Sequence, residues 1–574
     1  MVSFAIKHLV ATSRVLAFRA IGAAHGRLKP VRLYFELRTS YQISEENGSA
    51  ATTVDVLFPS GTYAALDYTP VWAHHRFYGW YTTATTPQAA EVTTGVQVQP
   101  GGSIVHGRQT IFARWQTPAT VTFDATSGGG EMPGGWTAPD YYEGQPYGEL
   151  PTPSKSDEIF IGWYTAGGAR VTTATTVPAG GGALTARYMA VTYATKFEVT
   201  TTSSYKKFGI YSTTAINSAN PTVVDWGDGS VDVVIGSISQ LAHEYASAGT
   251  FEVGISDTIS AFAISSSNST WYGTTAQVRY TLKKVKAVSA SVTSLSSYCY
   301  YYCAALTNAV FPSSNSFTLI PDSCFYYCQA LQNVTIPATV TSIGNYAFYY
   351  CNGSGFNTIT IPAGVTNIGS YAFYYCYYLT SITFEAADAA LTLNNYAFAY
   401  CGYYSVFDLD MSPRKVSAIP QYCFYYSRYL RNFTFPQNCT AVNGNAFRYA
   451  FSLSNVGSPT VTIPEGVTSI GTYAFANASY LAAVVIPSTC STIGTYAFYS
   501  ATRLATITVN RSAAPSVQSS TFGNSNSYYT GRTYYSAGTN KLIVPAGATG
   551  YTSSYWLDPL CSSTKCGFTL QEAS

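Results

Sequence analysis

The chain has 574 residues, a charged fraction of 10% and a formal net charge of +2 at pH 7. Soluble domains average about a quarter charged residues, and proteins that bind nucleic acid carry clustered Lys and Arg. The composition therefore excludes a nucleic-acid partner recognised by charge. A chain of this length predicts about four domains.

Residues 1–31 are basic and contain no acidic side chain. A secretory signal needs an apolar run of about 7–15 residues, but Arg14 and Arg19 interrupt the apolar stretches here. We therefore expect an attachment segment that docks an amphipathic face onto a virion or another assembly partner. Binding at a membrane surface is the alternative, and membrane insertion is not expected.

Residues 32–117 and 118–190 predict two copies of one β-module. The strings Phe77-Tyr-Gly-Trp-Tyr-Thr82 and Phe160-Ile-Gly-Trp-Tyr-Thr165 start 83 residues apart, and each precedes a strand that ends in an aromatic residue. Both copies resemble the InlB B-repeat family, whose modules are β-grasp-like and common on bacterial surface proteins. We expect the tryptophan of each string to pack in a core.

Residues 191–287 predict a third module. Val223-Val-Asp-Trp-Gly-Asp-Gly-Ser230, followed by His243-Glu-Tyr245, resembles the PKD domain, an immunoglobulin-like β-sandwich. Asp225 and Asp228 in this string are candidate calcium ligands. Asp and Gly also meet the backbone demands of a tight turn, and we favour the turn over the metal site.

Residues 288–510 repeat a phrase close to Ile-Gly-x-Tyr-Ala-Phe-Tyr-Tyr-Cys-x-x-Leu-x-x-Ile-Thr-Ile-Pro about nine times. Each copy holds one anchor aromatic, and successive anchors lie 23 to 28 residues apart. A period in this range predicts a solenoid, in which each unit buries its apolar face only against its neighbours. The anchors are Tyr300, Phe325, Phe348, Phe373, Phe398, Phe424, Phe447, Phe475 and Phe498.

Strings such as Ile359-Thr-Ile361 recur once per repeat and predict strands whose Thr side chains face outward. Proline ends most of these strands because it has no N–H to donate. We expect one continuous parallel sheet, with a single helical or 3₁₀ turn around each anchor. The expected outward Thr residues are Thr335, Thr360, Thr383, Thr434, Thr462 and Thr508.

The repeat resembles the BspA-like leucine-rich repeat family over roughly two-fifths of the chain. The matching string is Val365-Thr-Asn-Ile-Gly-Ser-Tyr-Ala-Phe-Tyr-Tyr-Cys-Tyr-Tyr-Leu-Thr-Ser-Ile-Thr-Phe384. Repeats five to seven depart from it, because Leu391-Thr-Leu-Asn394 lacks Ile-Gly and Ala450 replaces a cysteine, so we expect irregularity there. Residues 511–574 resemble the terminal piece of such arrays and are expected to cap the last rung. The expected fold is mainly β and multidomain.

Cysteines recur three residues after the anchor, at positions where other repeats carry Ser or Ala. A position that accepts all three residue types needs a small buried side chain, and free Cys behaves as a small hydrophobe. We therefore expect structural packing, with no metal and no cofactor. Outside the repeats, Cys561 and Cys566 are the candidate disulfide pair. The repeat cysteines are Cys303, Cys328, Cys351, Cys376 and Cys401.

Pairs of tyrosines follow the anchor in successive repeats. Two adjacent residues in a short turn cannot both face the core, so at least one per repeat is expected in an exposed ridge. These rings either cover the edge of the solenoid or bind a host-surface glycan or protein, since tyrosine offers amphipathic contact area at low entropic cost. The candidate ligand-binding residues are Tyr302, Tyr327, Tyr350, Tyr375, Tyr377, Tyr378, Tyr404 and Tyr426.

The sequence contains no nucleophile elbow, Walker A loop, zinc-protease motif or dinucleotide fingerprint, so we do not expect an enzyme. We expect a recognition or adhesion protein, with a phage virion fibre or decoration protein as the first hypothesis. In that hypothesis the solenoid serves receptor binding and host attachment. The alternatives are a bacterial cell-surface or secreted adhesin with the same modules, and a structural spacer.

Intact-mass measurement of the mature protein tests the attachment segment. We expect Met1–Pro30 to be retained, because its apolar stretches are too short for a signal peptide. A mature N-terminus near Ala24 or His25 would contradict this expectation and indicate a secreted adhesin.

Overall fold

The computed structural model describes residues 118–216, 220–264, 279–453, 457–517, 521–522, 540–552, 556 and 569–573, together with isolated strands before residue 117. Contacts divide the chain into two units, Met1–Ala190 and Val191–Ser574. No helix within these described residues is long and apolar enough to cross a membrane.

The first unit consists of short sheets. Its described strands form a β1–β2 pair, a three-stranded sheet in the order β3-β5-β4, and a four-stranded sheet in the order β6-β9-β7-β8. These strands are β1 (Ala17–Arg19), β2 (Arg32–Tyr34), β3 (Thr53–Leu57), β4 (Arg76–Tyr81), β5 (Arg108–Gln116), β6 (Thr120–Asp124), β7 (Ile159–Thr165), β8 (Arg170–Val171) and β9 (Gly181–Met189).

The two modules of this unit share one hairpin register. Trp80 of β4 lies opposite Ala113, and Trp163 of β7 lies opposite Ala186. A register shift precedes the glycine of both strings. The third strand differs, because β3 runs antiparallel to β5 whereas β6 runs parallel to β9.

Trp163 is buried, as the sequence predicted. Its Nε1 donates to the Pro151 carbonyl at 2.8 Å, and its ring packs edge-on against Phe123 at 4.9 Å. Three other predictions lie outside the described residues: the attachment segment apart from Ala17–Arg19, the surroundings of Trp80, and the Cys561–Cys566 pair.

The second unit begins with an antiparallel β-sandwich, as the resemblance to the PKD domain implies. One sheet has the order β13-β12-β15-β10-β17 and the other pairs β11 with β14. The strands are β10 (Tyr193–Thr201), β11 (Lys207–Ile216), β12 (Thr222–Asp225), β13 (Val231–Val234), β14 (Gly236–Glu244), β15 (Gly249–Ser256), β16 (Ala261–Phe262) and β17 (Leu282–Ala287).

Asp225 and Asp228, the two candidate calcium ligands of the sandwich, take part in hydrogen bonds within the module. Asp225 accepts a bond from the Gly227 amide at 2.8 Å, and Asp228 contacts His243 Nε2 at 2.7 Å. Burial would raise the pKa of Asp228, but hydrogen bonds from Ser230 and His243 outweigh it and lower the pKa to about 2. Both carboxylates therefore already have partners within the module.

The sandwich continues directly into the repeats. Strand β16 pairs in parallel with β18 (Ser294–Leu295), and β17 pairs in parallel with β19 (Asn308–Ala309). Buried side chains of both parts form one contiguous core. The sandwich thus covers the N-terminal end of the solenoid, which would otherwise expose its apolar interior.

Each complete rung of the solenoid has a short strand, an anchor turn and a longer strand. The short strands are β18, β20 (Leu319–Ile320), β21 (Ser342–Ile343), β23 (Asn367–Ile368), β25 (Thr392–Leu393), β27 (Ala418–Ile419), β29 (Ala441–Val442), β31 (Ser469–Ile470) and β33 (Thr492–Ile493). The other strands are β19, β22 (Thr358–Ile361), β24 (Ser381–Phe384), β26 (Phe407–Asp410), β28 (Leu430–Thr434), β30 (Thr460–Thr462), β32 (Ala483–Ile486), β34 (Thr506–Val509), β35 (Lys541–Val544) and β36 (Thr569–Glu572).

The predicted alternation is confirmed, but the prediction of one continuous sheet is wrong. Thr360 and Thr383 are exposed while Ile361 is buried. The longer strands form three sheets, with the orders β22-β24, β26-β28 and β30-β32-β34-β35-β36. The breaks border repeats five to seven, where the sequence predicted irregularity.

Rung length explains the break between β28 and β30. Twelve residues separate Phe447 from Thr460, against seven between Phe373 and Ser381. Extra residues move a strand along its own axis, so its N–H and C=O groups leave the register of the neighbouring strand. A smaller irregularity lies within the β26–β28 pairing, where Phe407 faces Leu430 but Asp408 faces Asn432.

The Ile-Gly corners need glycine because rungs approach each other closely there. A Cβ on Gly369 would lie 2.6 Å from the Asn345 amide nitrogen of the preceding rung. No side chain fits at that separation without moving one rung away from the other.

A column of stacked aromatic rings runs through the core of the solenoid. Phe348, Phe373 and Phe398 stack with ring centroids 5.1 Å apart and ring planes within 3°. The column ends on Phe522, which stacks on Phe498 at 5.6 Å and contacts the buried Trp556. Its members are Tyr300, Phe325, Phe348, Phe373, Phe398, Phe424, Phe447, Phe475, Phe498 and Phe522.

The repeat cysteines are buried free thiols, so the packing prediction is confirmed. They also bond to the backbone, since the Sγ atoms of Cys351 and Cys376 donate to the anchor carbonyls of Phe325 and Phe348 at 3.2 and 3.1 Å. Burial raises the pKa of Cys303 to about 12. An uncharged thiol is a poor metal ligand.

Arg414 is a buried cation that forms hydrogen bonds with a rung distant in sequence. Its Nη1 donates to the Pro362 carbonyl at 3.1 Å, and its Nη2 donates to the Val365 carbonyl. The segment after β24 is longer than the corresponding Pro-Ala-Gly corner. Arg414 therefore bonds main-chain carbonyls about fifty positions earlier in the sequence.

Replacement of Phe373 by Ala tests the aromatic column. Removing this ring leaves a cavity between Phe348 and Phe398, and a loss of about 3–5 kcal/mol is expected. Thr360→Ala is the control, since an exposed strand position should change stability by under about 0.5 kcal/mol. Denaturant unfolding measures both, and a Phe373→Ala protein as stable as the control would contradict the core assignment.

Candidate binding surface

Each anchor lies in a turn whose backbone is left-handed two residues before and two residues after it. Bulky side chains rarely adopt this conformation, yet tyrosine fills most of these positions, with φ between 54° and 64°. The paired residues are Tyr298 and Tyr302, Ser323 and Tyr327, Tyr346 and Tyr350, Tyr371 and Tyr375, Tyr396 and Tyr400, Tyr422 and Tyr426, Asn445 and Tyr449, Tyr473 and Asn477, and Tyr496 and Ser500.

This turn replaces the helical or 3₁₀ turn that the sequence predicted, and hydrogen bonds to the next rung explain it. Both left-handed residues and the anchor donate their N–H groups to the following rung, while the residues between them bond within the turn. These hydrogen bonds along the solenoid axis thus offset the free-energy cost of the left-handed backbone. In one rung the donor–acceptor pairs are Tyr346–Ser370, Phe348–Ala372 and Tyr350–Tyr374, at 2.8–3.0 Å.

Because every rung repeats the turn, its tyrosines form three columns on the surface. The first column, two residues before the anchor, contains Tyr346, Tyr371, Tyr396 and Tyr422, stacked 4.4–4.9 Å apart. The second, one residue after the anchor, contains Tyr301, Tyr326, Tyr349 and Tyr374, stacked 4.6–5.4 Å apart. The third, two residues after the anchor, contains Tyr302, Tyr327, Tyr350, Tyr375, Tyr400, Tyr426 and Tyr449.

The structure brings the predicted site residues together on this face. Five of them, Tyr302, Tyr327, Tyr350, Tyr375 and Tyr426, belong to the third column. The other three, Tyr377, Tyr378 and Tyr404, lie beside it. Sequence reasoning missed the first column, although its signal is the tyrosine of the Tyr-Ala-Phe string in most repeats.

Regular stacking of the third column is interrupted on both sides of Tyr375, whose ring is tilted by 55° against Tyr400. Tyr302, Tyr327 and Tyr350 are parallel within 9°, but Tyr350 and Tyr375 meet at 83°. Tyr377 packs beside this break and meets Tyr350 edge-on at 6.1 Å.

Four rings next to the break form a cluster that we call the tyrosine platform: Tyr377, Tyr378, Tyr403 and Tyr404. Its ring centroids lie 5.1–5.4 Å apart, and Tyr403 and Tyr404 are nearly perpendicular at 87°. Tyr404 has 49% of its surface exposed.

The face carries few charges near these rings. The sequence has no Lys or Arg between Lys286 and Arg414. Three guanidinium groups lie over rings of this face: Arg279 over Tyr302 at 4.7 Å, Arg428 over Tyr403 at 5.4 Å and Arg448 over Tyr449 at 5.3 Å. The rungs between Ser323 and Tyr375 contain no Lys or Arg of their own.

Burial raises the pKa of several tyrosines on this face, to about 12 for Tyr326 and Tyr396 and further for Tyr377. These three hydroxyls are protonated at neutral pH and can both donate and accept a hydrogen bond. Among the described residues, no group of three or more His, Cys, Asp or Glu side chains is placed to hold a metal ion.

The fold and this face define a leucine-rich repeat solenoid preceded by β-modules. The family model for the BspA type leucine rich repeat region matches residues 261–354, 293–409, 352–460 and 448–530. The model for the Listeria-Bacteroides repeat domain matches residues 120–187. The chain therefore contains a BspA-type leucine-rich repeat region and a Listeria-Bacteroides repeat domain. No curated protein sequence matches the chain.

Solved structures of repeat proteins show low overall similarity. A leucine-rich repeat protein from Bacteroides ovatus is 18% identical, with a TM-score of 0.37, covering 62% of this chain and 99% of that one. A leucine rich cell surface protein from Faecalibacterium prausnitzii is 22% identical (TM-score 0.31; 53% and 79% covered). The pneumococcal vaccine antigen PcpA is 15% identical (TM-score 0.22; 50% and 78% covered).

Substitutions at Tyr371 test the left-handed turn. Tyr371→Asn and Tyr371→Ala both remove the stacked ring, but Asn tolerates left-handed backbone, so it should retain about 1 kcal/mol more stability. Tyr374, whose φ is not positive, is the matched control, and Asn should have no advantage there. Equal stability of the two Tyr371 variants in denaturant unfolding would contradict the proposed backbone cost.

Proposed function

We propose that the chain is a non-enzymatic adhesion protein of the bacterial cell surface, whose repeat solenoid binds its partner through the three tyrosine columns. The columns carry this proposal. They place half-exposed tyrosine rings on one face of successive rungs, at spacings fixed by the backbone. The BspA-type repeats and the Listeria-Bacteroides repeat domain support it, since such modules are typical of bacterial surface proteins.

Tyrosine suits a binding face for physical reasons. Its ring buries a large area, its hydroxyl forms hydrogen bonds, and few rotatable bonds are immobilised on binding. Stacking between rungs restricts these rings before a ligand arrives. A preorganised surface loses less conformational entropy on association than a mobile one.

A phage virion fibre is the second candidate. The observation that favours it is the composition of residues 1–31, which contain Lys and Arg but no acidic side chain. In this reading the N-terminal segment docks on the particle and the same tyrosine face contacts the host cell. The two candidates differ in the cell that the face contacts.

Binding of the purified full chain to two kinds of cells tests the proposal. Epithelial monolayers are the probe for an adhesin, and intact Gram-positive and Gram-negative bacteria are the probe for a fibre. The variant Tyr350→Ser/Tyr375→Ser/Tyr378→Ser should reduce binding at least tenfold, because it removes rings around the break in the stack. Ser500 occupies the turn position equivalent to Tyr350 and Tyr375, so the variant should fold.

The control variant is Tyr473→Ser/Tyr496→Ser/Tyr499→Ser, which removes as many rings from rungs outside the break. It should bind as the unmodified chain does, and circular dichroism should show both variants folded. Full binding by the first variant would exclude the face as the contact surface. Binding of the unmodified chain to neither probe would favour a spacer, and binding to bacteria alone would favour the fibre.

A further inference from the structure

We propose that the tyrosine platform is a subsite for a neutral glycan, a ligand class that the overall adhesion function leaves open. The inference rests on the proposed function and names the ligand for one part of the same face. The site consists of Tyr377, Tyr378, Tyr403 and Tyr404 beside the break between Tyr350 and Tyr375.

The break matters because stacked rings cover each other's faces. Within the columns, neighbours such as Tyr326 and Tyr349 lie 4.6 Å apart at 6°, so mainly ring edges and hydroxyls meet solvent. At the platform the rings turn by up to 87° against each other. Tyr404, half exposed and edge-on to Tyr403 and Tyr377, is not stacked in parallel within the cluster.

An exposed aromatic face is negative in potential and attracts weakly positive C–H groups. A sugar ring offers such a C–H face, and its rim carries hydroxyls that donate and accept hydrogen bonds. The platform has the matching parts, because each of its tyrosines carries an aromatic ring and a hydroxyl group. Burial raises the pKa of Tyr377, so its hydroxyl stays neutral at physiological pH.

The scarcity of cationic side chains around the platform favours a neutral sugar over an anionic one. Sialylated, sulfated or phosphorylated glycans need cations nearby, and clustered Lys or Arg raise the local concentration of such ligands. The chain has no Lys or Arg from position 287 to position 413. The platform contacts the guanidinium of Arg428, whose Nη1 donates to the Tyr403 hydroxyl at 3.3 Å, but this is a single cation and not a cluster.

The small contact area of the platform favours a glycan over a protein as its ligand. A stable protein interface buries about 800 Å² on each side, whereas an aromatic side chain buries about 150–250 Å² in total. Four rings that are partly covered by one another offer much less than a protein interface requires. They match the contact area of a few sugar units.

Binding of the full chain to a glycan array and to soluble oligosaccharides tests the inference. The probes are neutral gluco-, galacto-, manno- and N-acetylglucosamine oligosaccharides, each with sialylated or sulfated counterparts where these exist. We expect binding to at least one neutral series, with no gain from added anionic groups. Tyr378→Ala/Tyr404→Ala should weaken that binding at least tenfold in titration calorimetry.

The matched control is Tyr205→Ala/Tyr280→Ala, which removes a tilted ring pair outside the three columns (centroids 4.7 Å apart, 34° between planes) and should change affinity less than twofold. Binding only to anionic glycans, no glycan binding, or an equal loss in both variants would overturn the inference. Cell binding that survives glycosidase treatment but not protease treatment would also overturn it, while leaving the adhesion function intact. Absence of any cell binding would overturn both.

Discussion

Registration between successive rungs is the constraint on which the rest of this solenoid depends. The core phenylalanines from Phe325 to Phe398 repeat at ring separations of 5.1 Å, and the anchor turns bond to each other at 2.7–3.4 Å. Both contacts require neighbouring rungs to present the same atom at the same place. Any side chain at an equivalent position must then lie over its counterpart, so columns on the surface follow from columns in the core.

The tyrosines show how this constraint overrides local preference. Left-handed backbone costs a non-glycine residue about 1–2 kcal/mol in isolation, and Gly or Asn would fit better at these positions. Here two N–H groups per turn reach the next rung because of that conformation, and the rings stack on their neighbours. Repeated contacts outweigh the local cost, and they also hold the binding face in place.

A solenoid must also end. The N-terminal end is covered by the sandwich, whose last strands β16 and β17 pair with the first rung. Toward the C-terminus, β35 and β36 extend the last sheet, and Phe522 and Trp556 complete the aromatic column. Arg414 serves a comparable purpose inside the array, since it bonds main-chain carbonyls across the longer corner after β24.

The sequence by itself determined the repeat, the anchors, the inward Ile and Val positions and the buried cysteine column. These features follow from periodicity and residue size, which can be observed in the sequence of the repeats alone. Only the tertiary structure decided that the longer strands form three separate sheets, because register depends on the relative lengths of neighbouring rungs, which no single repeat encodes. It also decided the left-handed turn, the first tyrosine column and the break at Tyr350 and Tyr375. Each of these features depends on how one rung contacts the next. Such contacts between rungs cannot be inferred from the sequence of the individual repeats.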